Sequence, residues 1–220
     1  MPDPNNTTLA TFNNWTLRVR ETAQEKPRLL VLVHGFTGDE NSMWVFARNL
    51  STKYWMIAPR APHTSDLGGY SWREPFDASD YGRPTFTQLR PGAEALLGLI
   101  DEYAASVGVD AQTFDVVGFS QGAAVCNVLN FLFPDRIHRT GILAGFVPEG
   151  LEELASQRPL EDKPYFVAHG TKDETVDVER ARESIAILER AGANVTYCED
   201  EVGHKVSANC LRALKEFFTD

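Results

Sequence analysis

The chain has 220 residues, 43% of them hydrophobic and 24% charged, a mixture that suits one sizeable globular domain and excludes general disorder. Its apolar runs reach only five residues, as in Leu29–Val33, far below the ~20 that a membrane helix needs, so no stable membrane insertion is expected. With 31 acidic against 21 basic side chains the formal net charge is −10. That charge opposes a polyanion, and with no block of Lys and Arg to offset it, nucleic acid is excluded as a partner.

The first residues, MPDPNNTTLATFNN, have neither the basic start nor the apolar core of a signal peptide. Cys126, Cys198 and Cys210 form no CxxC pair and read as thiols in a reducing compartment, which makes cytoplasmic the expected localisation. Residues 15–20 (WTLRVR) alternate, predicting a half-exposed antiparallel strand that leads into a buried one at 29–33 (LLVLV). A helix is predicted over 42–52 and a buried strand over 54–58. From Pro59 to Pro91 the chain is rich in Pro, Gly and aromatics (Tyr70, Trp72, Phe76, Tyr81, Phe86) and shows no periodicity. A loop of that length in a compact domain is expected to be functional.

Beyond it, helices are predicted over 91–106, 121–133, 177–191 and 205–218, and buried strands over 114–118, 139–144 and 164–168. Residues 194–199 (NVTYCE) read as a final edge strand. Continuous apolar strands alternating with amphipathic helices define an α/β fold whose mainly parallel sheet is covered on both faces. No repeat or composition break divides the chain, so residues 1–220 are read as a single domain. Only one short helix, 149–156, fits between the strands at 139–144 and 164–168, so no cap domain is expected and the 59–91 loop would govern access.

Between the strand at 114–118 and the helix that follows lies Gly118-Phe119-Ser120-Gln121-Gly122. A serine cap on a Gly-rich helix start would also put a serine here. The GxSxG pattern in strand–turn–helix context instead reads as a nucleophile elbow, with the serine on a sharp turn and the helix N-terminus beneath it. A serine hydroxyl attacks only when a base takes its proton and a third group orients that base. The α/β-hydrolase order requires nucleophile, acid and histidine in that sequence, each after a strand. Asp173, in HGTKDETV, and His204, in EVGHKVS, stand in the required places.

Among the other histidines, His34 comes too early, His63 lies in the long loop, His138 suits a helix-end cation, and His169 would shape the loop carrying Asp173. Asp177 reads as a helix cap, and Glu199 and Asp200 as solvated strand-end acids. The oxyanion donors are expected at the backbone N–H of Gln121, directly after the nucleophile, and of Phe36 in the turn His34-Gly35-Phe36-Thr37-Gly38. HExxH is absent and the histidines are scattered, so neither a metal nor any other cofactor is expected.

The segments VLVHGFTGDE, APRAP with GGYSWR, VGFSQGAA, AHGTKDETV and GHKVS resemble the carboxylesterase/phospholipase group of α/β-hydrolases that includes acyl-protein thioesterases. The resemblance runs from about Leu29 to Phe218. It implies Ser120, Asp173 and His204 as catalytic residues, Phe36 and Gln121 as oxyanion donors, and Trp72 as part of the acyl pocket. The first loop, HGFTGDENSM, and the second, SWREPFD, are more similar to a small bacterial-style carboxylesterase than to a dedicated depalmitoylase. The expected activity is hydrolysis of a small-molecule carboxylic ester through an acyl-enzyme. An acyl-thioesterase or lysophospholipase on the same triad is the enzyme alternative, and a non-catalytic ligand-binding α/β-hydrolase the other.

Overall fold

A two-residue turn at Asn13–Asn14, both left-handed with φ of 44° and 68°, folds Thr8–Phe12 (β1) antiparallel onto Trp15–Arg20 (β2). Asparagine tolerates that conformation, and the twist of such a turn matches that of the hairpin strands. Strand β1 was not predicted: it is largely exposed at the sheet edge and carries no apolar run. The computed structural model describes residues 6–48, 50–75 and 84–219.

Leu29–Val33 (β3), Trp55–Pro59 (β4), Phe114–Phe119 (β7), Ile137–Leu143 (β8), Pro164–Gly170 (β9) and Asn194–Asp200 (β10) complete the main sheet; His63–Thr64 (β5) and Tyr70–Ser71 (β6) pair separately. The order across the sheet is β1-β2-β4-β3-β7-β8-β9-β10. Strands β1, β2 and β4 join antiparallel, and every pair from β4 to β10 is parallel. Strand β2 is antiparallel and β10 lies at the edge, as predicted.

All five residues of β3 are buried, with Leu29, Val31 and Val33 facing one core and Leu30 and Leu32 the other. The first face is covered by Phe86–Val107 (α2), Gln121–Leu132 (α3), Glu152–Ser156 (α4) and Val178–Arg190 (α5), the second by Trp44–Ala47 (α1) and Ala208–Phe217 (α6). Between β8 and β9 the chain makes only the five-residue α4, so no cap domain is present. Among the described residues no helix is long and apolar enough to cross a membrane.

Three differences from the sequence reading stand out, the first two with local causes. Helix α1 spans four residues and not the predicted 42–52; Ser51 accepts the Lys53 N–H on Oγ and the Tyr54 N–H on its carbonyl, and the chain turns there. Helix α2 starts at Phe86 and carries Pro91 within it. The start signal is not the proline but a capping box, in which Gln88 Oε1 accepts the Thr85 N–H at 3.0 Å. The long loop is correspondingly shorter, Phe86 belongs to the helix, and Phe76 and Tyr81 lie outside the described residues.

The third difference is chemical. Cys126 is a buried free cysteine, its thiol pushed well up by burial, but Cys198 on β10 and Cys210 on α6 form a disulfide. Twelve residues separate them in sequence; only the packing of α6 against β10 brings them together. The expectation of free thiols is therefore corrected for both, and the reason it offered for a reducing compartment lapses. Closing a loop of this size removes about 3 kcal/mol of denatured-state entropy. A Cys198→Ser/Cys210→Ser variant is expected to lose roughly that much stability in denaturant melts, and the wild type to lose a similar amount on addition of reductant.

Candidate active site

The parallel strands all end on one side, and the four loops expected to carry chemistry leave from that edge. The turn after β3 holds residues 34–38, the elbow after β7 holds Ser120, and the loops after β9 and β10 hold Asp173 and His204. Convergence at the carboxyl ends of parallel strands is the usual location of sites in open α/β sheets.

Ser120 has φ 52° and ψ −118°, a left-handed conformation strained for any residue with a Cβ. Its N–H donates to Leu143 O at 2.9 Å and its carbonyl accepts the Ala124 N–H at 3.2 Å, so sheet and helix hold the turn from both sides. A Cβ on Gly122 would stand 2.1 Å from Val33 O, and one on Gly118 2.5 Å from Gly122 O. The close approach of helix α3 to the sheet therefore requires glycine at both places. The Ser120 side chain does not cap α3. Its Oγ lies 3.0 Å from His204 Nε2, and His204 Nδ1 lies 2.7 Å from Asp173 Oδ2.

Asp173 is 6% exposed. Its Oδ1 accepts the backbone N–H groups of Thr175 and Val176, each at 2.9 Å, which leaves Oδ2 turned to His204. The His204 loop is held against the acid loop by Lys172 N–H to Val202 O at 3.0 Å, and the imidazole packs on Phe119 with ring centroids 5.0 Å apart. Ser207 caps α6 by accepting the Cys210 N–H at 3.1 Å, so this helix starts three residues later than predicted and His204 stays in the loop.

The competing carboxylates are engaged elsewhere: Asp177 caps α5 through the Glu179 N–H, Glu199 binds Arg182, and Asp200 Oδ1 accepts the Glu201 N–H. His138 is not a helix-end cation; it lies in β8 with Nδ1 3.0 Å from the buried Asp115 carboxylate.

The 34–38 turn is tied down at several points. His34 is fully buried; its Nδ1 donates to Gly35 O at 2.7 Å and its Nε2 accepts the Ala61 N–H at 2.9 Å. The Thr37 N–H donates to Tyr70 O and the Gly38 N–H to Gly35 O, both at 3.0 Å. Gln121 opens helix α3, where the first N–H groups have no intrahelical acceptor.

Trp72, expected to form part of an acyl pocket, has a fully buried side chain and borders a cavity shared with His63, Arg73 and Pro91. The indole N–H donates to His34 O at 2.8 Å and the backbone N–H to Gln121 Oε1 at 2.9 Å. Trp72 thus braces together the two segments expected to supply the oxyanion donors. Sequence gave no sign of this, because both partners are distant in the chain. Trp72→Ala is expected to lower stability by about 3–5 kcal/mol and to reduce turnover of short and long acyl substrates alike. Melting temperature and a chain-length profile on the same variant check this; a changed profile with an unchanged melt would show the expected pocket role instead.

Burial pushes the His34 pKa below its ordinary value. The unfolded chain then takes up the proton first, so the contribution of this residue is complete above about pH 6.5. It drains away as the pH falls from there toward the lowered folded value. Thermal melts from pH 8 to 5 are expected to show this acid slope, and His34→Gln, which retains an acceptor for Ala61, is expected to flatten it.

Bidentate pairing with Arg60, at 2.8 and 3.1 Å, likewise holds the Glu40 carboxyl below its usual range just beyond this turn. Among the described residues no group of three or more His, Cys, Asp or Glu side chains is placed to hold a metal ion.

A mainly parallel sheet with a serine at a strained strand–helix elbow, an acid and a histidine in chain order defines the α/β-hydrolase class. Residues 14–220 match the phospholipase/carboxylesterase family, and the chain belongs to that family. It is 29% identical to acyl-protein thioesterase 1 of Debaryomyces hansenii over 93% of this chain and 95% of the relative. It is 28% identical to the carboxylesterase SOBER1 of Arabidopsis thaliana over 76% of this chain and 77% of the relative. Among solved structures, the carboxylesterase of Mesorhizobium loti superposes with a TM-score of 0.79 at 21% identity, covering 97% of this chain and 98% of that one. The Bacillus cereus carboxylesterase does so with a TM-score of 0.78 at 23% identity, covering 97% and 92%.

Proposed function

We propose that residues 1–220 work as one domain, a serine esterase that cleaves carboxylic esters through an acyl-enzyme. The observation that carries this reading is the unbroken chain from Ser120 Oγ to His204 Nε2 at 3.0 Å and from His204 Nδ1 to Asp173 Oδ2 at 2.7 Å, set at a strained elbow. In the proposed cycle Ser120 Oγ attacks the substrate carbonyl while His204 Nε2 takes the hydroxyl proton. The carbonyl oxygen becomes an oxyanion facing the backbone N–H groups of Phe36 and Gln121, with the N-terminus of α3 beneath.

His204 returns the proton to the leaving alcohol as the C–O bond breaks. Water, deprotonated by the same imidazole, then attacks the acyl-enzyme and releases the acid and Ser120. Asp173 holds the imidazole in the Nδ1–H tautomer and stabilises the imidazolium as it forms. A fluorophosphonate is expected to label Ser120 and no other serine, checked by peptide mapping.

A second reading keeps this machinery and changes the leaving group to a thiol, since the Debaryomyces hansenii relative is named a thioesterase. Hydrolysis rates over matched ester and thioester series of increasing chain length discriminate the two. A preference in kcat/KM for esters supports the first, and a preference for thioesters the second.

A further inference from the structure

The acid of the proposed triad has a second histidine against it. His169, at the end of β9, is 2% exposed. Its Nε2 lies 2.8 Å from Val176 O and 3.4 Å from Asp173 Oδ2, the same oxygen that receives the His204 N–H. Both neighbours of Nε2 are acceptors, so this nitrogen carries the proton. Nδ1 has no hydrogen-bond partner among the described residues and is buried. A proton there would be a buried, unanswered donor, so this nitrogen is left as a bare lone pair.

The consequence concerns how Asp173 is aimed. Its Oδ1 is fixed by two backbone N–H groups, from Thr175 and Val176. His169 anchors the same short loop by donating its Nε2–H to the Val176 carbonyl, with the same nitrogen 3.4 Å from Oδ2. The carboxylate is therefore fixed at Oδ1, and Val176, which supplies one of the two Oδ1 bonds through its N–H, is pinned by His169 through its C=O.

We propose that His169 is a positioning residue for the hydrolytic reaction: its Nε2–H locks the 173–176 loop and the Asp173 carboxylate in the orientation that receives His204. This rests on the Ser120–His204–Asp173 reading above. His169 is buried against Asp173 and Val176, so its effect is expected on kcat, where the imidazolium forms, and not on the binding of substrate.

Three variants test this. Gln can place an amide N–H where Nε2 stands, Asn reaches only the Nδ1 position, and Met fills a similar volume with no donor. With p-nitrophenyl acetate, and kcat normalised to serines titrated by a fluorophosphonate, we expect His169→Asn and His169→Met to lose about 10- to 100-fold in kcat with KM nearly unchanged. His169→Gln is expected to retain kcat within about threefold. Titration counts only the folded sites, and the Gln–Asn comparison stands even if the Met variant fails to fold.

Equal loss in Gln and Asn, tracking their melting temperatures, overturns the proposal in favour of mere packing. Retained kcat in Asn while Asp173→Asn is inactive overturns it and leaves the triad intact. Retained kcat in both Asn variants overturns it together with the triad.

Discussion

Ser120→Ala is expected to remove ester hydrolysis down to a residual of about 10³-fold over water, because the proposed oxyanion donors and substrate binding remain when the proposed nucleophile is gone. The fold is expected to survive, since the turn is built from backbone contacts, Ser120 N–H to Leu143 O and Ala124 N–H to Ser120 O, that alanine keeps. A sharper outcome follows from the backbone angles. With φ 52° and ψ −118°, any residue bearing a Cβ is strained here by about 1–3 kcal/mol.

Alanine retains that strain and glycine relieves it, against ~0.5–1 kcal/mol of added freedom in the unfolded chain. Ser120→Gly should therefore be as inactive as Ser120→Ala yet melt at a higher temperature. Wild-type turnover in either variant would remove the nucleophile, and a lower melt for glycine than for alanine would show that the elbow is not strained as described.

Asp173→Asn is expected to lower kcat by about 10⁴-fold, and the hydrogen bonds explain why the amide cannot escape the damaging orientation. Two backbone N–H groups point at Oδ1, so the Asn oxygen must take that place and its NH₂ must replace Oδ2. The NH₂ then confronts His204 Nδ1, which has to become an acceptor. Nε2 is left carrying the proton and cannot accept one from Ser120. Asp177→Ala, four residues away, is expected to cost about 1 kcal/mol of stability through its lost cap and to leave kcat unchanged. Kinetics and denaturant melts on both variants check the contrast; the reverse pattern would identify Asp177 as the acid.

The residues of this chain differ in how openly they declare their roles. Strands β3, β7 and β9 were legible because burial on both sheet faces demands continuous apolar runs, and α5 because one-sided burial imposes the helical period. The elbow was legible for a local reason as well: a turn this tight needs glycine at positions fixed relative to the serine. Asp173 and His204 followed from chain order, since a parallel sheet delivers successive loops to the same edge. The hairpin at Asn13–Asn14 carried a turn signal, but its outer strand is too exposed to show a pattern. The start of α2 was signalled by Thr85 and Gln88 and hidden by the more conspicuous Pro91.

By itself, then, the sequence determined the α/β architecture, the absence of a cap, and which serine, aspartate and histidine converge, because each depends on spacing along the chain. Only the tertiary structure decided that Trp72 turns inward to join His34 to Gln121 and that Cys198 meets Cys210. Each of these is a contact between elements brought together by packing. The direction a side chain takes in such a contact is set by the shape and polarity of what surrounds it, which no local pattern records.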